Sequence, residues 1–326
     1  MKKANKKIFI KTASIFFAMF SFFTMTGMTH KKQEQSLEGR LTVNKESQTI
    51  SFDGGKDIKI LQLSDVQVSN IFFLKQPFAM VEYLIEKTQP DLIVLTGDNL
   101  GDDCPLPVFY KFVSFMDSFE IPWAPVLGNH DYTTDVMPAL QAKEYEDAEY
   151  CLFQTGEVSE SYGNYAYTIE WKGKAAHALI FMDSGEEGFT KEHVDWYEKT
   201  VRALTNDNGK KTLPSWAFFH IPTKETALAY EACLQEKEVY DGEVNEDVGY
   251  QKKDDGFFEK VKQWKSTTAF IYGHDHINSL ITQYQGVALC YALKSTVTSY
   301  YQSDLLGGNL FRLKKDSSFT VERVFI

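Results

Sequence analysis

Short apolar runs alternate with helical stretches through the middle of this chain, and that alternation limits the fold more than any other feature. Ile58 to Leu63 reads as a strand, and Pro77 to Thr88 as a helix with Pro77 suited to its first turn. Asp91 to Thr96 is an apolar strand between Pro90 and Gly97, Val108 to Phe119 a helix, and Trp123 to Leu127 a strand closed by Gly128. A βαβαβ order builds a parallel or mixed sheet covered by helices, so the fold class is α/β.

The second half carries more β-structure. Tyr165 to Trp171 and Ala178 to Met182 read as paired strands, Lys191 to Leu204 as a helix and Trp216 to Phe219 as a strand. Phe257 to Trp264 is a helix and Thr268 to Tyr272 a strand. Leu280–Tyr284 with Val287–Tyr291 form a hairpin, and Phe311 and Phe319–Ile326 supply terminal strands. Gln235 to Asp255 is polar and acidic, either a solvated loop or a lid.

A second pattern lies at the ends of the strand-like runs. Asp65 follows Leu61-Gln62-Leu63-Ser64, and Asp98 stands in Leu95-Thr96-Gly97-Asp98-Asn99. Asn129-His130-Asp131 follows Gly128, His220 follows Trp216 to Phe219, and His274-Asp275-His276 follows Gly273. Open α/β sheets place their chemistry at such strand ends. Carboxylate, Asn carbonyl and imidazole all ligate Zn, Fe or Mn, and His-x-His sets both rings on one face of an extended segment. Singly, each has an ordinary explanation, Asp65 and Asp98 as turn carboxylates and His220 as a core histidine. Four of the seven histidines fall in these loops, however. Together the loops are expected to form one rim holding two metal ions, with Asp98 shared between them. His30, His177 and His193 lack this context and read as surface or packing residues.

The series Asp65, Gly97-Asp98-Asn99, Gly128-Asn129-His130-Asp131, His220 and Gly273-His274-Asp275-His276 resembles the calcineurin-like metallophosphoesterases, over about residues 57–300. Gly163-Asn164-Tyr165, Phe181-Met182-Asp183-Ser184, Phe219-His220-Ile221-Pro222 and His274 to Asn278 are similar to the small purple-acid-phosphatase-like branch. The resemblance implies a four-layer α/β/β/α sandwich. It also implies a binuclear centre of two divalent or trivalent ions (Fe, Mn or Zn). Asp65, Asp98 and His276 would hold one ion, and Asp98, Asn129, His220 and His274 the other. The family pattern has Asp-x-His where this chain has Asp65-Val66-Gln67. The carbonyl oxygen of Gln67, or a water, would fill that place. No Tyr follows the second Asp, where purple acid phosphatases have one; the run is Asn99-Leu100-Gly101-Asp102.

The implied activity is hydrolysis of phosphomonoesters or phosphodiesters by a hydroxide that two ions about 3.5–4 Å apart activate. Asn129 and His130 would contact the substrate. His130 would stabilise the phosphoryl oxygens and protonate the leaving oxygen, and Asp131 would orient or charge-stabilise its imidazole. The alternative is a catalytically weak surface protein that binds metal or phosphate on the same fold, which Gln67 favours. A peptidase reading lacks His-Glu-x-x-His. Specificity would come from Gly101–Pro107, Tyr132–Tyr150 and the 235–255 stretch.

A net charge of −11 argues against non-specific nucleic-acid binding but not against a small phosphorylated substrate, since bound ions invert the local sign. Lys2, Lys3, Lys6 and Lys7 precede an uncharged apolar run from Thr12 to Met28. Residues 1–28 therefore read as a signal peptide or, uncleaved, as an N-terminal membrane anchor through residues 8–28. The protein is expected outside the cytoplasm, secreted or held on the outer face of the membrane. Residues 29–56 form a polar linker and an edge hairpin, with strands at Thr42-Val43 and Thr49 to Phe52 and a turn at Asp53-Gly54-Gly55. The resemblance implies that residues 57–326 form the metallophosphoesterase domain. Cys104, Cys151, Cys233 and Cys290 match no zinc spacing and read as buried thiols.

Overall fold

The computed structural model describes residues 41–326 apart from 55–56, 160 and 237–239. The signal or anchor at 1–28, the first part of the linker and His30 lie outside the described residues.

The described chain begins with a hairpin of β1 (Leu41–Asn44) and β2 (Thr49–Phe52). Its turn is not at Asp53-Gly54-Gly55 but at residues 45–48. There the Asn44 side-chain oxygen accepts the Ser47 N–H at 2.9 Å and Gln48 takes a φ of 51°. Next come β3 (Ile58–Leu63), α1 (Lys75–Thr88), β4 (Leu92–Thr96), α2 (Leu106–Asp117) and β5 (Trp123–Val126). β3, β4 and β5 pair in parallel, as the βαβαβ order requires. α1 buries Pro77, Met80, Val81, Leu84 and Ile85, one stripe of a 3.6-residue period.

After α3 (Pro138–Asp147) follow β6 (Tyr165–Trp171), β7 (Lys174–Phe181), the two-residue β8 (Gly188–Phe189), α4 (Lys191–Asp207) and β9 (Ser215–Phe218). The chain continues through α5 (Lys224–Glu236), the short β10 (Lys253–Asp254), α6 (Phe257–Trp264), β11 (Thr267–Tyr272), β12 (Ile281–Tyr284) and β13 (Val287–Tyr291). It ends in β14 (Gly307–Leu313) and β15 (Phe319–Phe325). The two-residue β8 and β10, α3, α5 and the first half of β14 are not legible in the sequence, which marks β14 only at Phe311. α3 buries only Gln141, Ala142 and Tyr145, so its apolar stripe is thin. α5 begins in a polar, charged stretch. β14 starts Gly307-Gly308-Asn309, residues that weaken a strand signal, yet it is an interior strand between β15 and β3.

Two large sheets result, one of eight strands in the order β1-β2-β6-β7-β9-β11-β13-β12 and one of five in the order β15-β14-β3-β4-β5. Side chains of the eight-stranded sheet divide by parity. Trp216, Phe218, Ala269 and Ile271 join the core shared with the five-stranded sheet and α1–α3. Ala217, Phe219, Phe270 and Tyr272 join a second core with Val194 and Tyr197 of α4 and Phe257 and Val261 of α6. Helices therefore cover the outer face of each sheet, giving the four-layer α/β/β/α arrangement. All four cysteines are buried and free.

Candidate metal centre

Parallel strands of one sheet end side by side, so the turns after β3, β4 and β5 bring Asp65, Asp98 and Asn129-His130 to one edge. The ends of β9 and β11 bring His220 and His274 to His276 to the same edge from the other sheet. The chain turns abruptly there. Asp65, Gln67, Asp98 and His274 all have positive φ, at 53°, 47°, 49° and 81°, a strained conformation typical of functional rims. Glycines allow the crowding. A Cβ on Gly128 would overlap Asp98 Oδ1 and stand 2.7 Å from His220 Cδ2, and one on Gly97, whose φ is 90°, would stand 2.5 Å from His220 Nδ1.

The structure brings Asp65, Asp98 and His276 together, with their donor atoms within 4.8 Å of one another. His220 and His276 are set alike. Each Nδ1 faces a backbone carbonyl, Thr96 O at 2.8 Å and Tyr300 O at 2.9 Å. A carbonyl only accepts, so Nδ1 donates and the lone pair of the neutral ring lies on Nε2. His220 Nε2 stands 3.2 Å from Asp98 Oδ1, and His276 Nε2 stands 3.3 Å from Asp65 Oδ1. His274 Nδ1 is 3.3 Å from His220 Nε2. Lone pairs facing carboxylate oxygens require a proton or a metal cation between them. Asp65 Oδ1 and Asn129 Oδ1 are buried with no hydrogen bond, the residue of a donor set that a cation would complete. The residues therefore fit the ions that the resemblance implies.

In the protein alone, protons play that part. Burial works against a charge on His220, but the Asp98 carboxylate outweighs it and pushes the imidazole up to about 10. Burial, then the neighbouring His220, holds His274 down to about 4. Burial raises Asp65, yet the facing His276 brings its carboxyl well below the ordinary carboxylate range.

Two expectations meet a different arrangement. Asp131 does not reach the His130 ring. It is fully buried and its carboxylate accepts the N–H groups of Gly128 at 2.8 Å, Leu100 at 2.9 Å and Asn99 at 3.2 Å. Burial, then Asp98, pushes it up to about 7. Asp102 holds the ring instead, its Oδ1 lying 2.7 Å from His130 Nδ1. The other difference is at Gln67. Its carbonyl oxygen accepts from Lys294 Nζ at 2.8 Å, and it is the amide nitrogen that points toward Asp98, 3.5 Å from Oδ2. Lys294 is 2% exposed, also donates to Asp65 O at 2.8 Å, and is lowered to about 8 by burial.

Sequence reasoning misses Asp102 and Lys294. Lys294 had a signal: it is the one charged residue between Val287 and Ser303. Asp102 had none beyond its place four residues after Asp98. Of the remaining histidines, His193 accepts the Thr190 N–H at 3.2 Å at the start of α4, and His177 packs on Trp216 with no hydrogen bond. Residues 246–249 of the acidic stretch lie against the rim. Gly249 N–H donates to Asp275 at 3.0 Å, and Glu246 accepts the Ile277 N–H at 3.0 Å.

Comparison with known proteins places the chain in a family and a fold. "Probable inactive purple acid phosphatase 14" of Arabidopsis thaliana is 26% identical over 291 residues, covering 74% of this chain and 71% of that protein. "Probable inactive purple acid phosphatase 29" of the same plant is 26% identical over 239 residues, 64% of this chain and 60% of that protein. The chain thus spans less than two thirds of the second relative's length. A crystal structure of a dimetal phosphatase from Danio rerio superposes with a TM-score of 0.56 over 82% of this chain and 96% of that one, at 13% identity, a likeness of fold. The calcineurin-like phosphoesterase family model matches residues 58–278, from the first strand of the five-stranded sheet through the last rim histidine, and the chain belongs to that family.

Proposed function

We propose that this chain is an exported metal-dependent phosphoesterase that hydrolyses phosphomonoesters or phosphodiesters of small molecules. The convergence of Asp65, Asp98 and His276, with His220, His274 and the unpartnered Asn129 oxygen beside them, carries the reading. Asp65, Asp98 and His276 would hold one ion, and Asp98, Asn129, His220 and His274 a second. When bound, such ions (Fe, Mn or Zn) supply Lewis acidity toward phosphoryl oxygens and toward water.

The chain's own groups do the rest. His130 Nδ1 is held by Asp102, which turns Nε2 toward the rim, 3.9 Å from Asp98 Oδ2. Burial opposes a charge on this ring, but Asp98 and then Asp102 raise its pKa above the ordinary value, so the ring keeps a proton to give to the leaving oxygen. The side chain is 35% exposed, enough to meet a substrate. Asp131 fixes the backbone from which Asp98 and Asn129 project.

The test is to strip the protein with a chelator, reload it with Mn, Fe or Zn, and measure phosphate release from mono- and diesters beside Asp98→Ala. Turnover restored by metal and absent in Asp98→Ala supports the reading; equal release by both proteins sinks it. A second reading, metal or phosphate binding without turnover, is favoured by Lys294 occupying the Gln67 oxygen and by the word "inactive" in the relatives' names. Tight metal loading without release of phosphate would select it. Export rests on the Lys-rich start and the apolar run from Thr12 to Met28. A reporter active only outside the cytoplasm, fused after residue 36, checks it.

A further inference from the structure

A cavity of about 310 Å³ opens beside the metal centre, and His130, Asp102 and Gln67 belong to its wall. Val68, Phe73, Leu74 and Pro77 give it an apolar side. Phe73 is 73% exposed, which is unusual for a ring of that size next to a polar rim. Among the described residues, Asp102 and His130 are the only ionisable side chains lining the cavity, and no Lys or Arg lines it. Thr133 and then His130 hold Asp102 below the ordinary carboxylate range, so it stays negative.

We infer that this cavity receives the leaving group of the substrate, and that this group is an uncharged, apolar alcohol, aryl or alkyl, rather than a second phosphate or a carboxylate. The inference rests on the phosphoesterase reading. As the ester P–O bond breaks and the oxygen of water joins phosphorus, the leaving oxygen takes its proton from His130, and the proton lost by water restores the imidazole. The leaving group must therefore lie on the His130 side, where the cavity is. An anionic group there would meet the Asp102 carboxylate, and the one basic group in the described lining, the His130 imidazole, is already engaged by that carboxylate at 2.7 Å. An apolar group would instead cover the exposed face of Phe73 and leave water.

The test uses the metal-loaded full chain and two pairs of probes. Hydrolysis of 1-naphthyl phosphate is compared with that of methyl phosphate, and calorimetric binding of 1-naphthylphosphonate with that of methylphosphonate, which does not turn over. Phe73→Ala alters an exposed position and should lower the naphthyl-to-methyl ratio about tenfold in kcat/KM and in affinity. Pyrophosphate should be a poor substrate, and Phe73→Lys should improve it. Turnover with no naphthyl preference, or with a ratio that Phe73→Ala leaves unchanged, overturns the cavity assignment while the phosphoesterase reading stands. Preferential binding of naphthylphosphonate without any turnover keeps the cavity as an apolar binding site and overturns the phosphoesterase reading, and with it the leaving-group role. Neither binding nor turnover overturns both.

Discussion

The two halves of the rim are built differently although they share Asp98. On the His220 side, the ligand-type atoms face one another, with His274 Nδ1 3.3 Å from His220 Nε2, and no ammonium lies among them. His220 has its Nδ1 on Thr96 O and its Nε2 toward Asp98, and Asn129 Oδ1 has no partner. On the Asp65 side, His276 is oriented in the same way by Tyr300 O, but the Gln67 oxygen is already taken by the buried ammonium of Lys294. One half is prepared for a metal charge, and the other carries a positive charge of its own. The contrast teaches that a ligand-type residue at the right position is not a ligand until its other partners are counted.

Asp98→Ala should erase the contrast, because both halves lose their common carboxylate. Metal analysis should find neither ion, and phosphate release should fall to background; full activity would break the two-half picture. His130→Ala should keep the metal content and lower kcat by about 10²–10⁴-fold. Loss of both ions in that variant would make His130 a ligand and move it into one of the halves.

Lys294→Met frees the Gln67 oxygen and removes the opposing charge. Affinity in the Asp65 half should rise about 10–100-fold while the His220 half is unchanged, as read by metal titration. Unchanged affinity in both halves would refute the contrast. Asp102→Asn should act more gently. Without that carboxylate the His130 pKa falls, so the alkaline limb of the kcat profile moves to lower pH. A fixed limb would mean that the rate does not report His130.

His177 is the control outside the rim. It is as buried as His220, but it faces Trp216 rather than a carboxylate, and burial holds it down to about 3 against an ordinary 6.5. Above pH 6.5 neither the folded nor the unfolded chain protonates it. Below 6.5 the unfolded chain takes a proton that the folded chain refuses, so stability falls with pH until about 3. His177→Phe should recover about 1–2 kcal/mol at pH 5 and nothing from this linkage at pH 8, measured by urea unfolding. An unaltered slope would assign the acid sensitivity elsewhere.

Much of the fold was legible where period and length agreed. β3, β6 and α6 have the bounds their apolar patterns mark, and the order through β5 dictates a parallel sheet. α3, α5 and the first half of β14 were not, because their burial is thin or their first residues are glycines and charges. In the site, strand-end Asp, Asn and His residues could be read from spacing, because strands of one sheet end together. What spacing could not give was direction. The Asp131 carboxylate turns inward to backbone N–H groups while Asp102, on another loop, reaches the His130 ring, and the chain from Asp65 meets Lys294 only through tertiary folding.

The rim also lies across the seam between the two sheets. Asp65, Asp98 and Asn129 follow strands of one sheet, and His220, His274 and His276 follow strands of the other. A cation gripping both sets would act as a staple that is absent from the unfolded chain. At a thousand times its dissociation constant, such a ligand would add about 4 kcal/mol to the resistance of the seam to parting. Metal supply would then govern how long the folded protein survives, as well as what it can hydrolyse.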